Sequence, residues 1–192
     1  MRVTRQQAED NRRTILEAAG RSFRERGFDG VGVADLMKAA GFTHGGFYNH
    51  FASKDALAAE ACADALGRAN AALADELRAG EARPWKRYLT QYLSAEHRDD
   101  PAGGCTLAAL AADAARSGAG VQTSFAAGIE QVIAILAAYL ERTGEKPAAA
   151  RARAIQTWSE AIGGLVLARA LAAADPGLSE EILDANRRAL VR

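Results

Sequence analysis

The feature that most constrains this chain is the spacing of its apolar residues, which recur every three or four positions along most of its length. In residues 7–26, for example, Ile15, Leu16, Ala19 and Phe23 follow this spacing. Such spacing places side chains on one face of an α-helix, whereas a half-buried strand would alternate with period two. No segment shows that alternation, and alanine, the strongest helix former, is in large excess. The sequence therefore predicts an all-α protein.

Glycine, proline and capping residues divide this pattern into nine predicted helices. Gly27 and Gly41 are placed to end the first two helices, and Ser53 and Pro84 suit the first turns of later ones. Asp175-Pro176-Gly177 separates the last two. The predicted helices cover residues 7–26, 33–40, 44–51, 53–79, 84 onward, 105–116, 121–142, 147–174 and 178–191.

Charge is balanced overall but not along the chain. There are 24 Lys and Arg residues and 24 Asp and Glu residues, so the whole molecule is not a general polyanion binder. Residues 1–54 hold nine basic and six acidic residues, a net charge of +3, which leaves −3 in residues 55–192. This modest asymmetry favours contact between the first segment and phosphate.

The cysteines and the N-terminus limit the class of protein further. Cys62 and Cys105 form neither a CxxC pair nor a set with histidine at ligand spacing, which argues against a disulfide scaffold or a metal site. A reducing compartment is therefore expected. The N-terminus is polar and no run of 18 apolar residues occurs, so we expect a cytoplasmic protein without a membrane partner. No cofactor is expected.

The most specific motif is a helix, a glycine turn and a second short helix within residues 33–57, with the sequence VADLMKAAGFTHGGFYNHFASKDAL. A helix ends in Ala-Gly, Thr43 opens the next, and Gly, Tyr, His-Phe and Ser-Lys-x-x-Leu follow in register. This run resembles the DNA-binding segment of TetR/AcrR-family transcriptional regulators. The resemblance implies a homodimer that binds double-stranded operator DNA through a domain at 1–54, followed by a ligand-binding and dimerisation domain at 55–192.

The chemistry of the second helix suits a DNA contact. Small residues let its backbone approach the major groove, and the N-terminus of the following helix is a phosphate anchor. By resemblance, Tyr48, His50 and Lys54 would contact the DNA backbone, and His44, Gly45 and Asn49 would lie nearest the bases. The complete predicted set is Thr43, His44, Gly45, Gly46, Tyr48, Asn49, His50 and Lys54.

Structural alternatives to these contacts stay open. His50 could cap a helix or pack against the next one, and Gly45-Gly46 could mark a loose loop. Phe47 and Phe51 are predicted to be core residues. The chain also departs from the family at Gly32, where Thr or Ser is frequent and its hydroxyl often meets a phosphate.

The larger segment carries a predicted effector cavity by resemblance. Its apolar and aromatic residues favour a hydrophobic or aromatic small molecule, although core packing is the alternative role for each of them. The candidates are Trp85, Tyr88, Tyr92, Cys105, Leu107, Leu110, Phe125, Ile129, Trp158 and Ile162.

The last two helices are, again by resemblance, the dimer interface. Gly163-Gly164 would weaken an isolated helix unless a neighbouring helix approached closely, within the chain or from a second copy. The predicted dimer contacts are Ile155, Ala161, Leu165, Ala168, Ile182 and Leu183.

Cys105 suggests a second way to sense a signal. It follows Gly103-Gly104 at the predicted start of a helix, where the helix dipole favours a thiolate. An alternative function is therefore a regulator that senses electrophiles or oxidants through Cys105. The structural alternative is a small buried residue, which is also the interpretation of Cys62.

Three functions can be compared on these patterns. The prediction is a repressor released by its effector, with activation left open. An enzyme is not predicted, because His97 has no recognisable catalytic partner in the sequence and no phosphate loop or metal motif is present. A helical adaptor without DNA binding is the remaining rival, since Gly32 and the double glycine depart from a well-formed recognition helix.

Overall fold

The computed structural model describes residues 4–79 and 83–191, and all regular secondary structure in these ranges is helical. The prediction of an all-α protein is thus confirmed. The nine predicted helices are present, together with a short one, α5, that the apolar spacing could not reveal in five residues. The elements are α1 (Arg5–Arg26), α2 (Val33–Ala39), a 3₁₀ helix (His44–Asn49), α3 (Lys54–Arg78), α4 (Pro84–Tyr92), α5 (Ala95–Asp99), α6 (Thr106–Ala114), α7 (Ala119–Arg142), α8 (Pro147–Leu171) and α9 (Pro176–Leu190).

The first three helical elements share a small aromatic and aliphatic core. α1 ends at Gly27, whose φ of 74° lies in the left-handed region that glycine adopts without strain. The chain then turns back, so that the Phe28 ring meets the Phe23 ring edge-on at 5.2 Å. Residues from α1, α2 and the 3₁₀ helix are completely buried in this core: Ile15, Phe23, Leu36, Met37 and Phe47.

The predicted second helix of the motif is a 3₁₀ helix. Its bonds join Gly46 N to Thr43 O at 3.1 Å and His50 N to Phe47 O at 2.9 Å. Two glycines in six residues weaken an α-helix, and the short segment keeps the tighter hydrogen-bond pattern. Thr43 occupies the capping position as expected, but its hydroxyl makes no capping bond.

The long helix α3 joins this N-terminal unit to the rest of the fold. It begins at a cap in which Ala56 N donates to Ser53 Oγ at 3.0 Å. α3 packs against α1 near its start and along most of its length against α7. Close approach of α3 and α7 requires Gly128, because a Cβ there would lie 2.7 Å from Leu66 Cδ1.

The helix α7 is the centre of the C-terminal bundle. It is long and apolar enough to meet the criteria for a membrane-crossing helix, but here it packs between α3 and α8. The side chains that point inward are Val121, Phe125, Val132, Ile133, Leu136 and Leu140. The core of the bundle therefore accounts for part of this apolar composition, since 33% of the most apolar stretch of α7 is buried.

Helices α8 and α9 pack together, and this corrects the predicted dimer contacts. Ala161, Leu165, Ala168 and Leu183 are completely buried within the single chain, so they offer no surface to a second copy. α8 carries small or apolar residues on most faces, and helical spacing alone therefore selected its inner face. Apolar side chains on the outer faces of the two helices are exposed instead: Ile155, Val166, Leu167 and Leu178. Of the remaining predicted contacts, Ile155 is thus exposed and Ile182 is half-buried.

Candidate DNA interface and ligand cavity

The 3₁₀ helix presents a polar surface on a buried aromatic base. Phe47 is fully buried and Phe51 is 3% exposed, whereas the Tyr48 side chain between them is 71% exposed. A tyrosine exposed to this extent offers both a ring face and a hydroxyl group to a partner. Thr43, His44, Gly45 and Asn49 are exposed on the same segment. The buried Phe47 and Phe51 thus hold the backbone of this segment against the core, and the opposite face stays free for a partner.

The glycines leave space on this surface. A Cβ at Gly45 would meet no atom within 4 Å, and one at Gly46 would lie 3.8 Å from Met37 Cε. Neither glycine is therefore required by packing within the chain. Small size at these positions is better explained by an approaching partner.

The remaining predicted contacts lie at the edge of this surface. His50 is half-buried, and its ring lies 6.4 Å from the Phe42 ring and 6.3 Å from the Phe51 ring. It therefore has a packing role besides any contact with DNA. Lys54 is half-buried at the first residue of α3, where its ammonium group adds to the positive end of the helix dipole. Gly32 caps α2 without a side-chain bond, as its lack of a hydroxyl requires.

A second candidate site is a cavity of about 280 Å³ inside the bundle. Its wall is built from α3, α4, α7, α8 and the segment from α5 to α6. We call it the aromatic cavity. The residues that define it are Leu66, Ala69, Asn70, Ala72, Leu73, Glu76, Tyr88, Tyr92, His97, Gly103, Gly104, Cys105, Thr106, Leu107, Val132 and Trp158.

Four aromatic rings form a continuous cluster, in which Tyr88, Tyr92 and Trp158 line the cavity and Trp85 lies behind Tyr88. The centroids of Trp85 and Tyr88 are 5.9 Å apart, those of Tyr88 and Tyr92 are 6.1 Å apart, and Tyr92 lies 4.9 Å from Trp158. Burial raises the pKa of Tyr88 and of Tyr92, so both hydroxyl groups stay neutral at physiological pH. The aromatic rings in the wall offer flat apolar surfaces, and the tyrosine rings also carry neutral hydroxyl groups.

Two buried polar groups in the cavity wall have no hydrogen-bond partner. They are Tyr92 Oη and Trp158 Nε1, on side chains that are 5% and 6% exposed. The neighbouring Cys105 thiol contributes to the raised pKa of Tyr92, but it gives the hydroxyl no hydrogen bond of normal geometry. Buried donors of this kind are rare in folded proteins because they lose their bonds to water.

The segment between α5 and α6 holds Cys105 beside a histidine. Cys105 N donates to His97 Nε2 at 3.0 Å, which makes that nitrogen an acceptor. The imidazole is therefore neutral, and its Nδ1–H donates to Tyr92 O at 2.7 Å. Burial lowers the pKa of His97 and thereby favours the same neutral form. His97 positions the segment, and the half-buried Cys105 lies at the N-cap of α6.

Two arginines distant in sequence hold this segment in place. Arg169 of α8 donates to His97 O at 2.7 Å and to Arg98 O at 3.0 Å. Arg24 of α1 donates to Ala102 O at 2.8 Å and so connects the N-terminal unit to the cavity wall. The charges of both arginines interact electrostatically with Cys105.

The comparisons with known proteins now decide the family. The model of "Bacterial regulatory proteins, tetR family" matches residues 15–61, which include α2, the 3₁₀ helix and the start of α3. The N-terminal segment of the chain thus belongs to the TetR family. The resemblance carried by residues 33–57 is confirmed by this match.

Relatives of this TetR-family protein differ in how much of it they match. The HTH-type transcriptional regulator YdgC of Bacillus subtilis is 42% identical over 55 residues, which are 29% of this chain and 28% of that protein. The HTH-type transcriptional repressor NemR of Escherichia coli is 27% identical over 139 residues, 71% of this chain and 70% of NemR. High identity is thus confined to a short segment.

Solved structures extend the match to the whole fold. The crystal structure of the reduced form of E. coli NemR has a TM-score of 0.80 at 22% identity and covers 94% of this chain and 95% of NemR. A TetR-family regulator from Agrobacterium tumefaciens has a TM-score of 0.76 at 21% identity, covering 96% and 97% of the two chains. At such identities the likeness establishes the TetR-type fold and nothing finer.

The cavity of this TetR-family chain contains some of the predicted ligand residues and not others. Tyr88, Tyr92, Cys105, Leu107 and Trp158 line it. The other five predicted residues lie outside its wall. Trp85 stacks behind Tyr88 and lines a larger surface groove of about 890 Å³. Leu110 and Phe125 are buried in the core. Ile162 is half-buried on α8, and Ile129 is 38% exposed on α7.

Sequence reasoning missed several residues around the cavity. His97, Arg24 and Arg169 had no local pattern that could indicate a role, because each acts on a segment far from it or through a backbone group. Gly104 carries a weak signal as half of a double glycine. A Cβ there would lie 2.8 Å from both Asp100 O and Arg169 Nη2, so the close packing of this segment requires glycine.

Proposed function

We propose that this TetR-family regulator binds a palindromic operator as a homodimer and is released from it by a small hydrophobic or aromatic effector. The observation that carries the proposal is the exposed polar face of the 3₁₀ helix, with Tyr48 71% exposed above two buried phenylalanines. In this proposal residues 1–54 form the DNA-binding domain, and residues 55–192 bind the effector and the second copy. Both activities belong to the cytoplasm, and neither requires catalysis.

The DNA contacts follow from the positions of the side chains. Tyr48 and Lys54 would contact phosphates and set the register, while the exposed residues His44, Gly45 and Asn49 would approach base edges. Two such surfaces must lie about 34 Å apart to enter successive major grooves. A homodimer supplies the second surface, and its symmetry makes the operator palindromic.

The exposed apolar side chains of α8 and α9 support the second copy. Leu167 is 57% exposed and Ile155, Leu178 and Val166 are each at least 40% exposed. These residues belong to two neighbouring helices, and large apolar surfaces on soluble proteins usually mark interaction sites. We propose them as the dimer contacts, together with the half-buried Ile182.

The connection between effector and DNA runs through two contacts. α3 extends from the DNA-binding surface to the cavity wall, where Leu66 and Leu73 contribute. Arg24 joins α1 to the segment before α6, which also lines the cavity. An effector that fits the cavity better in a second arrangement of these elements would change the spacing of the two DNA-binding surfaces.

The test begins with selection of bound fragments from random double-stranded DNA, for which a palindromic consensus is expected. Binding to that operator is then measured by fluorescence anisotropy at several salt concentrations. Lys54→Gln should weaken binding and lower the slope of log affinity against log salt by about one. Lys146→Gln, the same charge change at the far end of the fold, is the control. Absence of any DNA binding at low ionic strength would overturn the proposal.

A second candidate function is a thiol sensor, favoured by the position of Cys105. The thiol lines the aromatic cavity and lies in the field of Arg24 and Arg169. Oxidation by hydrogen peroxide would convert it to a sulfenic acid and release water. We expect peroxide to weaken operator binding by wild type and by Cys62→Ser, but not by Cys105→Ser. An equal response of all three proteins would exclude this function.

A further inference from the structure

The wall of the aromatic cavity is mostly apolar, but it contains two hydrogen-bond donors that lack an acceptor. Tyr92 Oη and Trp158 Nε1 are buried in that wall without hydrogen-bond partners. An indole N–H can only donate, and a neutral phenol can donate as well. Two unsatisfied donors in one cavity wall call for an acceptor that the protein itself does not provide.

Several other polar groups of the wall already have partners. Asn70 Nδ2 donates to Gly128 O at 3.0 Å and to Gln131 Oε1 at 3.1 Å. Glu76 is paired with Arg87 at 3.1 Å, and the neutral His97 is bonded on both ring nitrogens. These groups hold the wall together. Among the residues that line the cavity, Glu76 is paired and His97 is neutral, so the wall itself offers no unpaired charge and favours a neutral ligand.

The shape of the cavity wall limits the size and form of the apolar part of the ligand. Tyr88, Tyr92 and Trp158 provide ring faces, and Leu66, Leu73 and Val132 provide apolar surface. A volume of about 280 Å³ is near the lower end of small-molecule sites, which is about 300–1,000 Å³. This suits a rigid ligand of two or three fused rings.

We propose that the aromatic cavity selects a neutral, planar, fused-ring ligand with one carbonyl-type oxygen, which accepts hydrogen bonds from Tyr92 Oη and Trp158 Nε1. This inference rests on the proposed effector role of the cavity and specifies the chemistry of the effector. The rings stack on the aromatic side chains, and the oxygen gives the two donors the partner they lack. An unsubstituted hydrocarbon of the same shape would leave them unsatisfied.

The experiment compares 9-fluorenone with fluorene, which has the same fused rings and a methylene group in place of the carbonyl. Equilibrium dialysis measures the affinity of the full-length protein for each. We expect wild type to bind fluorenone about tenfold more tightly than fluorene, since a hydrogen bond to a buried group is worth about a factor of ten. Neither compound is a thiol-reactive electrophile, so Cys105 takes no part in the measurement.

The variants remove one donor at a time. Tyr92→Phe and Trp158→Phe should each reduce the fluorenone-to-fluorene affinity ratio by about three- to tenfold. Lost packing weakens both ligands together, so the ratio reports the donor alone. Tyr139→Phe, at an aromatic residue outside the cavity wall, should keep the wild-type ratio. The carbonyl stretch of bound fluorenone should lie at lower frequency in wild type than in the two donor variants.

Several results would overturn the proposal. Equal binding of both ligands to wild type would show that the donors are satisfied in another way, for example by a bound water. A ratio unchanged in both donor variants, or failure of both ligands to bind, would reject it as well. Operator release is measured separately. If another apolar compound releases the protein from its operator but fluorenone is not preferred over fluorene, this inference alone is rejected. If fluorenone is preferred but no ligand changes operator affinity, only the proposed induction is rejected.

Discussion

The N-terminal unit and the C-terminal bundle place their functional residues in opposite ways. In the first, the predicted contacts lie within residues 43–54 and are exposed or half-buried above a core built from neighbouring elements. In the second, the cavity wall combines α3, α4, α7, α8 and the segment from α5 to α6, and its polar groups are buried. A surface made from one short segment can be predicted from a pattern, whereas a cavity made from distant helices depends on packing.

The largest expected effect concerns the core beneath the exposed face of the 3₁₀ helix. Phe47 is fully buried and contacts the rings of Tyr48 and Phe51. Phe47→Ala should lower the free energy of unfolding by about 3–5 kcal/mol, through lost burial and the cavity left behind. Urea denaturation followed by circular dichroism measures this change.

Tyr48→Ala, one residue further along, is the matched control. Its side chain is 71% exposed, so the free energy of unfolding should change little, while operator affinity falls. If both substitutions destabilised the protein equally, the division into a buried base and an exposed face would be wrong.

The next test concerns the outer surface of the bundle. Leu167→Glu places a charge on the apolar face of α8, where the side chain is 57% exposed. If this face binds a second copy, the dimer should weaken by about 2–3 kcal/mol, as for a central interface residue. Analytical ultracentrifugation measures the dissociation constant.

Ile129→Glu on α7 is the control, because Ile129 is 38% exposed and lies outside α8 and α9. It should leave the dimer intact. A monomeric wild-type protein, or an unchanged dissociation constant for Leu167→Glu, would remove α8 from the interface.

The extent to which the sequence predicted the molecule follows the same division. Helix positions in the N-terminal unit agree with the predicted ones within a residue or two, because Gly27, Gly41 and Ser53 act through local backbone geometry and capping. The change from α-helix to 3₁₀ helix at His44–Asn49 was not predicted. The change depends on two opposing effects: Gly45 and Gly46 weaken an α-helix, whereas the burial of Phe47 in the core keeps the segment helical.

In the bundle, residue type was predicted better than residue role. Spacing identified α8 as a helix, but it could not separate the buried Leu165 from the exposed Leu167, since apolar residues occupy both faces. Similarly, Leu110 and Trp158 had the same apparent role in the sequence, yet only Trp158 lines the aromatic cavity. Such assignments require knowledge of which helices are neighbours.

The contact between the two regions provides a smaller effect. Arg24→Gln removes the bond from Arg24 Nε to Ala102 O, which joins α1 to the cavity wall. If this bond helps to transmit the effector signal, the ratio of operator affinities without and with effector should fall by about tenfold, within the usual range of allosteric coupling. Anisotropy titrations in the presence and absence of effector measure this ratio.

Arg21→Gln removes an exposed arginine one turn earlier on α1 and is the control. Its coupling ratio should equal that of wild type. Full coupling in Arg24→Gln would mean that α3 alone carries the signal.

The smallest expected effect is a pH dependence that arises in the bundle. His97 is neutral in the folded protein, and burial lowers its pKa below the ordinary value of 6.5. Below that pH the unfolded chain binds a proton that the folded chain does not, so the free energy of unfolding falls as pH decreases. The slope attributable to one such group reaches at most about 1.4 kcal/mol per pH unit.

His97→Gln should remove this slope, since glutamine does not titrate, although it also loses one of the two bonds at neutral pH. The variant is therefore expected to be less stable than wild type at about pH 8 and to approach wild type at about pH 5. His44→Gln, the same substitution in the exposed surface, leaves the segment before α6 intact and is the control. A constant difference between wild type and His97→Gln across this range would mean that His97 binds protons equally in the folded and unfolded chain, and that the acceptor role of Nε2 toward Cys105 N is wrong.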